Sequence, residues 1–239
     1  MKITLLGTGD TIGAPKIGCD CEVCSLLKAE NRERLRTSML IENEGKRILI
    51  DTSPDLRRQL LSNGSPAIDY VVWTHAHYDH IAGYNEFYRV QKFPPAYAAP
   101  EVMEDIKKFF YYLRFEKNPV PAYESFVLAG IRFTLVEVNH PPIFTCGVVM
   151  EYNGKKIGYT SDTNPLLNER TTELLSDCDL LFLDSLMPPD VHIGKHMNYA
   201  EATEFAKAVR AKEFHLVHMS HRIGDDLPHV SHDGDVFEF

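Results

Sequence analysis

Residues 74–80 have the sequence Thr74-His75-Ala76-His77-Tyr78-Asp79-His80, which places four side chains of metal-binding types within six positions. In an extended segment His75 and His77 project from the same face, so both can bind one cation. Asp79 and His80 follow and can bind a second cation close by. Imidazole and carboxylate ligands suit Zn, Mn or Fe, and the lack of thiolate in this stretch disfavours a purely structural role. The stretch therefore predicts a two-metal site rather than a few surface histidines beside a helix start.

Short apolar segments with strand character lie along the whole chain, and several of them end in a metal-binding residue. Tyr70–Trp73, for example, leads directly into the histidines. The residues at such ends are Asp51, His75, His140, Asp162 and His218. Strand ends and the loops after them are where α/β folds place their functional groups. The pattern thus predicts an α/β fold with its chemistry at the strand ends.

Helices and turns are predicted between these strands. The periodicity predicts helices over Pro54–Ser62, Glu101–Leu113 and Tyr199–Ala211, the last with Asn198 as an N-cap. Asn153-Gly154 predicts a tight β-hairpin. No repeat or linker interrupts the chain, so we expect a single domain over residues 1–239.

The composition excludes several classes of protein. The 239 residues carry 25 Lys and Arg against 34 Asp and Glu, a net charge of −9, which argues against broad nucleic-acid binding. No apolar run reaches the roughly 18 residues that cross a bilayer. The first seven residues are too short an apolar run for a signal peptide. We expect a cytoplasmic protein without a membrane partner.

The His75–His80 motif and the later strand-end residues, in this order, resemble the metallo-β-lactamase superfamily. The resemblance implies an αββα four-layer sandwich (metallo-β-lactamase fold). It also implies that metal one binds His75, His77 and His140, that metal two binds Asp79, His80 and His218, and that Asp162 bridges both. Asp51 would orient the ligands by hydrogen bonds, without binding a metal itself.

Two divalent cations, Zn or Mn, would give such a site a specific chemistry. They lower the pKa of a shared water, so that a metal-bound hydroxide can attack, and they neutralise charge on the substrate oxygens. Phosphodiesters, lactones, thioesters and β-lactams all suit this chemistry. The motif alone does not choose among them.

A second cluster, Gly18–Cys24, contains Cys19, Cys21 and Cys24 in a C-x-C-x-x-C pattern. Three thiolates leave a tetrahedral zinc one ligand short, and His221 is the natural fourth ligand. The pattern predicts a Cys-rich loop that holds one structural zinc. An Fe–S cluster is the alternative, but the remaining cysteines lie in apolar contexts typical of a core.

Three segments sharpen the resemblance to the PhnP-like branch of the superfamily, the phosphoribosyl 1,2-cyclic phosphate phosphodiesterases. They are Leu6–Gly9, Gly18–Cys24 and His218–His221. PqqB-like proteins share a similar cysteine loop. The PhnP-like resemblance implies a catalytic role for His196, which would protonate the leaving alkoxide or hold a phosphate oxygen. The neighbouring Lys195 could add positive charge near a phosphate.

The segment Tyr84–Phe126 contains 12 of the 25 aromatic residues. We favour core packing together with a homodimer interface as its role. The alternative is a stacking surface for a nucleobase. A large RNA substrate is disfavoured, because no basic arm is present.

We therefore expect a dinuclear metallohydrolase that cleaves a small phosphodiester. The substrate would be a cyclic phosphate, either phosphoribosyl 1,2-cyclic phosphate or a nucleoside cyclic phosphate. The alternatives are a thioesterase or lactonase of the same fold and a PqqB-like metal protein.

Overall fold

The computed structural model describes residues 1–239 and contains two β-sheets. The strands of the first sheet are β1 (Lys2–Gly7), β2 (Ser38–Asn43), β3 (Lys46–Ile50), β4 (Tyr70–Val72), β5 (Ala96–Ala98), β6 (Lys117–Pro119) and β13 (Val236–Glu238). Those of the second are β7 (Ser125–Leu128), β8 (Ile131–Val138), β9 (Thr145–Tyr152), β10 (Lys155–Tyr159), β11 (Leu180–Asp184) and β12 (Phe214–Val217). Their spatial orders are β13-β1-β2-β3-β4-β5-β6 and β12-β11-β10-β9-β8-β7.

Each sheet combines an antiparallel half with a parallel half. Strands β3 to β6 run parallel, as do β10, β11 and β12, while the remaining neighbours are antiparallel. Parallel strands end at the same edge of a sheet, so the residues that follow them meet there. This places the segments after β3, β4, β10, β11 and β12 close together.

Six α-helices and one 3₁₀ helix complete the fold. They are α1 (Glu22–Ala29), α2 (Leu56–Ser62), α3 (Tyr78–Ile81), α4 (Pro100–Phe109), α5 (Glu169–Leu175), α6 (Tyr199–Ala208) and the 3₁₀ helix Ala82–Phe87. Helices α2 and α4 contact the first sheet, and α5 and α6 contact the second. The predicted αββα sandwich is therefore confirmed. None of the helices combines the length and apolarity that crossing a bilayer requires.

The alternation of β8 shows how one strand serves both apolar layers. Ile131, Phe133 and Leu135 belong to the core that includes residues from both sheets. Val136 and Val138 belong to the second apolar cluster, which lies under α5 and α6. Because successive side chains of a strand point to opposite faces, this strand is buried on both sides along residues 133–136, just before its C-terminal end. That end leads to His140.

The helices differ from the prediction at several places: α2 begins only at Leu56, α6 ends at Ala208 rather than Ala211, and α5 was not predicted. The helix predicted over Glu101–Leu113 ends at Phe109, because Phe110 leaves helical geometry and its buried ring packs against Trp73. Helix α1 was not predicted at all, because Cys24 lies in a segment interpreted as a loop. Because the cysteines were interpreted as metal ligands, Cys24 was not counted as part of an apolar helix face. In the structure Cys24 and Leu27 are the buried residues of this helix.

The aromatic segment Tyr84–Phe126 divides into two parts. Tyr84, Phe87 and Phe110 are buried in the core, which agrees with the first half of the preferred interpretation. Tyr111 and Tyr112 are exposed. A dimer interface at these exposed rings stays a prediction.

Candidate active site

His75, His77 and His140 face one another at the ends of β4 and β8. His77 Nδ1 lies 3.1 Å from His75 Nε2 and 3.3 Å from His140 Nε2. In a tetrahedral site with metal–nitrogen bonds of about 2.0–2.1 Å, two ligand nitrogens lie about 3.3–3.4 Å apart. Asp162 Oδ2 completes the group at 3.6 Å from His75 Nε2. These four side chains have the spacing and the donor types to hold a divalent cation.

Asp79, His80 and His218 form a second group that also includes Asp162. His218 Nε2 lies 3.6 Å from Asp79 Oδ2 and 3.3 Å from Asp162 Oδ2, and His80 Nε2 lies 3.3 Å from Asp162 Oδ1. Asp162 Oδ1 and His218 Nε2 are buried without a hydrogen bond, which is costly unless a cation binds there. The two groups therefore fit a pair of cations that share Asp162.

The second nitrogens of the histidines contact oxygen atoms that fix the rings. Asp51, fully buried, lies 2.7 Å from His80 Nδ1 and accepts hydrogen bonds from Thr74 N and Thr74 Oγ1 at 2.9 Å. His140 Nδ1 lies 3.1 Å from the Lys195 carbonyl oxygen. Such contacts set the tautomer so that the other nitrogen is free for a metal. Asp51 thus lies where the resemblance placed it.

Charge and burial divide the imidazoles into two classes. Burial disfavours imidazolium, but the carboxylates, with Asp162 foremost, raise the pKa of His80 and His218 well above its usual value. Burial and neighbouring imidazoles lower the pKa of His75 and His77. A cation at the second group must therefore displace protons, and a fall in pH favours its release.

His196 lies beside both groups and is held by Asp184. His196 Nδ1 is 2.7 Å from Asp184 Oδ2, and Asp184 Oδ1 is 3.4 Å from His218 Nδ1. Burial opposes charge on His196, yet the Asp184 carboxylate outweighs it and raises the pKa of this imidazole. With Nδ1 engaged, Nε2 is left for a substrate.

Sequence reasoning missed Asp184. Its signal was present, since Asp184 ends β11 as Asp51 follows β3 and Asp162 follows β10. Asp184 is fully buried and also accepts a hydrogen bond from Thr163 N, which fixes the loop that carries Asp162. A strand-end aspartate was therefore the cue for a residue that positions His196.

These side chains open into a cavity of about 450 Å³, within the range of small-molecule sites. Lys195 is exposed at its rim, and His196 lies deeper. The lining residues are Asp10, Thr11, Ile12, His77, Tyr78, Asp79, His140, Asp162, Leu186, Met187, Lys195, His196 and His218. No residue of the aromatic segment 84–126 is among them, so its exposed rings lie outside this cavity.

Cys19, Cys21, Cys24 and His221 form a separate group. Their sulfur atoms lie 3.6, 3.4 and 3.5 Å from His221 Nδ1. A tetrahedral zinc with bonds of about 2.3 Å to sulfur and 2.0–2.1 Å to nitrogen separates these atoms by about 3.5–3.6 Å. The four side chains thus fit zinc, and every residue that we predicted as a ligand lies in one of the three groups. Their roles as ligands stay predictions.

The cysteine group is close to the active site along the chain. His221 follows His218 by three residues, and Met219 between them pairs with the segment that precedes the cysteines. Met219 N donates to Thr8 O at 2.9 Å, and Asp10 N donates to Met219 O at 3.1 Å.

The other two cysteines are buried, and burial raises the pKa of Cys146 to about 12 and that of Cys178 to about 11, as expected of core thiols.

We expect Cys21→Ser to lower the zinc content by one ion and to lower the Tm by roughly 6–12 °C. The reason is that an ion present at roughly 100 times its dissociation constant stabilises the fold by about 3 kcal/mol, which would be lost, and 1 kcal/mol shifts the Tm by about 2–4 °C at this chain length. Elemental analysis and a thermal melt check both values. Cys178→Ala is the matched control, because it removes a buried thiol outside the group and should leave the zinc content unchanged. An unchanged zinc content in Cys21→Ser would contradict the assignment.

Comparisons with known proteins agree with this geometry. The family described as "Beta-lactamase superfamily domain" matches residues 46–219. A solved structure described as a new diphosphatase from the PhnP family has a TM-score of 0.88 and 32% identity, and the alignment covers 100% of this chain and 97% of that chain. Ribonuclease Z of Pyrobaculum calidifontis is 24% identical over 96% of this chain and 90% of its own length.

A longer relative has a different name. Octanoyltransferase of Porphyromonas gingivalis is 33% identical over 92% of this chain, which spans 46% of that relative's length. Its name describes a protein about twice as long as the matched part. From the family match and the full-length similarity to the diphosphatase, the chain belongs to the beta-lactamase superfamily and, within it, to the PhnP family.

Proposed function

We propose that this chain, a hydrolase by its superfamily, is a dinuclear metal-dependent phosphodiesterase whose substrate is a small cyclic phosphate. The observation that carries this proposal is the shared Asp162, which joins two metal-sized groups of side chains beside a free imidazole in one cavity. Zn or Mn would suit this donor set.

The chain's own residues would divide the work as follows. When bound, two divalent cations would lower the pKa of water and neutralise charge on the phosphate oxygens. Lys195, exposed and without an acidic partner, would attract the phosphate. His196 Nε2 would give a proton to the leaving alkoxide, while Asp184 holds the ring at Nδ1.

The relatives favour cleavage at phosphorus. The names diphosphatase and ribonuclease both denote hydrolysis of phosphorus–oxygen bonds. The octanoyltransferase is named for acyl transfer, but this chain spans about half of it. Acyl substrates therefore belong in the test as the competing class.

A substrate panel tests the proposal. The protein, loaded with Zn²⁺ or Mn²⁺ and with its metal content measured, is supplied with phosphoribosyl 1,2-cyclic phosphate, nucleoside 2′,3′-cyclic phosphates, a thioester and a lactone. We expect turnover of at least one cyclic phosphate and little or none of the acyl substrates. Rapid hydrolysis of the thioester or lactone, with none of the phosphodiesters, would replace the proposal with the thioesterase or lactonase alternative. Inactivity on every substrate in metal-loaded protein would favour a PqqB-like protein.

A further inference from the structure

Tyr78 is the most exposed large apolar side chain in the active-site cavity. It lies between the ligand candidates His77 and Asp79, yet 57% of its surface is exposed. The reason is local, because the next three residues of α3 are all buried. Tyr78 is thus the one residue of this single turn that stays exposed, and its ring lines the cavity.

No contact within the protein explains why this ring is exposed at the cavity. No aromatic side chain packs on Tyr78, and its hydroxyl has no hydrogen-bond partner in the structure. A large apolar surface at the mouth of a polar cavity is a feature of ligand sites, where it binds the organic part of the ligand.

Ile12 adds a second apolar surface to the same cavity, and hydrogen bonds hold its backbone. It is 43% exposed and lies in a turn that Asp10 closes. Asp10 Oδ1 accepts hydrogen bonds from Ile12 N and Gly13 N, both at 3.0 Å. Gly13 has a φ of +70°, which suits glycine. Because the turn already fixes the backbone that carries Ile12, little backbone entropy is lost when a ligand packs on its side chain.

The cavity therefore has two chemically different parts. One part consists of imidazoles, carboxylates and Lys195, which suit a phosphate and its metals. The other consists of Ile12, Tyr78, Leu186 and Met187. A ribose phosphate offers no apolar face to this second part, whereas a nucleobase offers two.

We propose that Tyr78 and Ile12 form a binding site for a nucleobase, so that the preferred substrates are nucleotide phosphodiesters rather than bare sugar phosphates. This inference rests on the proposed function and narrows its substrate class. Aromatic side chains stack on bases of any identity, so the site selects for the presence of a base and only weakly for its type.

Equilibrium binding tests this inference without requiring turnover. Adenosine 5′-monophosphate and ribose 5-phosphate are titrated calorimetrically into metal-loaded protein, and the two dissociation constants are compared. We expect the nucleotide to bind at least roughly fivefold more tightly to the wild-type protein, the lower limit for one stacked base. Tyr78→Ala should abolish this ratio, and Tyr78→Phe, which keeps the ring, should retain it.

Tyr111→Ala is the matched control, because Tyr111 is an exposed tyrosine outside the cavity. Metal content is measured for every variant, since Tyr78 adjoins two ligand candidates. Equal binding of the two ligands to the wild type, undetectable binding of both, or a ratio that survives in Tyr78→Ala would overturn the inference. So would a ratio lost in Tyr111→Ala, which would place the base on the aromatic segment. Turnover of cyclic phosphates, measured in parallel, reports separately on the proposed function.

Discussion

Asp162→Asn should abolish turnover and lower the metal content from two ions to at most one in the dinuclear site. Asp162 is the one side chain that both ligand groups share. The asparagine keeps the size of the side chain but removes the negative charge that both cations would share. Cations bound at these sites would supply several kcal/mol of transition-state stabilisation, so we expect a loss of roughly 10³-fold or more in kcat/KM.

Metal analysis and steady-state kinetics of the same preparation measure this effect. Circular dichroism controls for the fold, because Asp162 is fully buried. Asp179→Asn is a useful comparison, since Asp179 is a half-buried carboxylate that pairs with Lys155 and Lys212 and does not line the cavity. A variant of Asp162 that kept both metals and normal turnover would show that the carboxylate does not bridge them.

His196→Ala should lower kcat by roughly 10²–10⁴-fold, the usual contribution of a general acid, and leave the metal content unchanged. The imidazole lies beside the ligand groups but belongs to neither of the two that meet at Asp162. His232→Ala provides the control, since His232 is an exposed histidine outside the cavity. Normal turnover in His196→Ala would remove this residue from the mechanism.

Asp184→Asn should shift the pH dependence of kcat, which tests the same role of His196. The Asp184 carboxylate raises the pKa of His196, so imidazolium persists to higher pH and turnover that needs it declines only as the pH passes that pKa. Without the carboxylate the pKa falls, and the alkaline decline of kcat should move to lower pH. A profile of kcat against pH for both proteins checks the direction. An unchanged alkaline limb would mean that His196 is not the acid.

The sequence was sufficient to predict which side chains lie together in the candidate site, because strand ends and metal-binding residue types coincide in it. Asp51, Asp162 and His218 each follow a short apolar segment, and parallel strands bring such ends to one edge. The pairing of His221 with the cysteines also followed from the need of zinc for a fourth ligand.

Other features depend on tertiary contacts that no local pattern encodes. Asp184 has the same strand-end position as the ligands, but only its 2.7 Å contact with His196 Nδ1 identifies its role. The early end of α4 depends on the packing of Phe110 against Trp73. The exposure of Tyr78, next to three buried residues of the same turn, is likewise visible only in the structure. Each of these three features depends on residues that are distant in sequence or on the packing around the residue.

The short segment from His218 to His221 has a further thermodynamic consequence. The cysteine group includes its last residue, and two backbone hydrogen bonds hold its middle: Met219 N donates to Thr8 O, and Asp10 N donates to Met219 O. Fixing the backbone of one residue costs about 1–2 kcal/mol in conformational entropy. Zinc bound at the cysteines would order the backbone of His218 before the dinuclear site is filled. Cation binding there would then not include this entropy cost. A tightly bound structural zinc would thus raise the affinity of the dinuclear site for its two cations without contacting them.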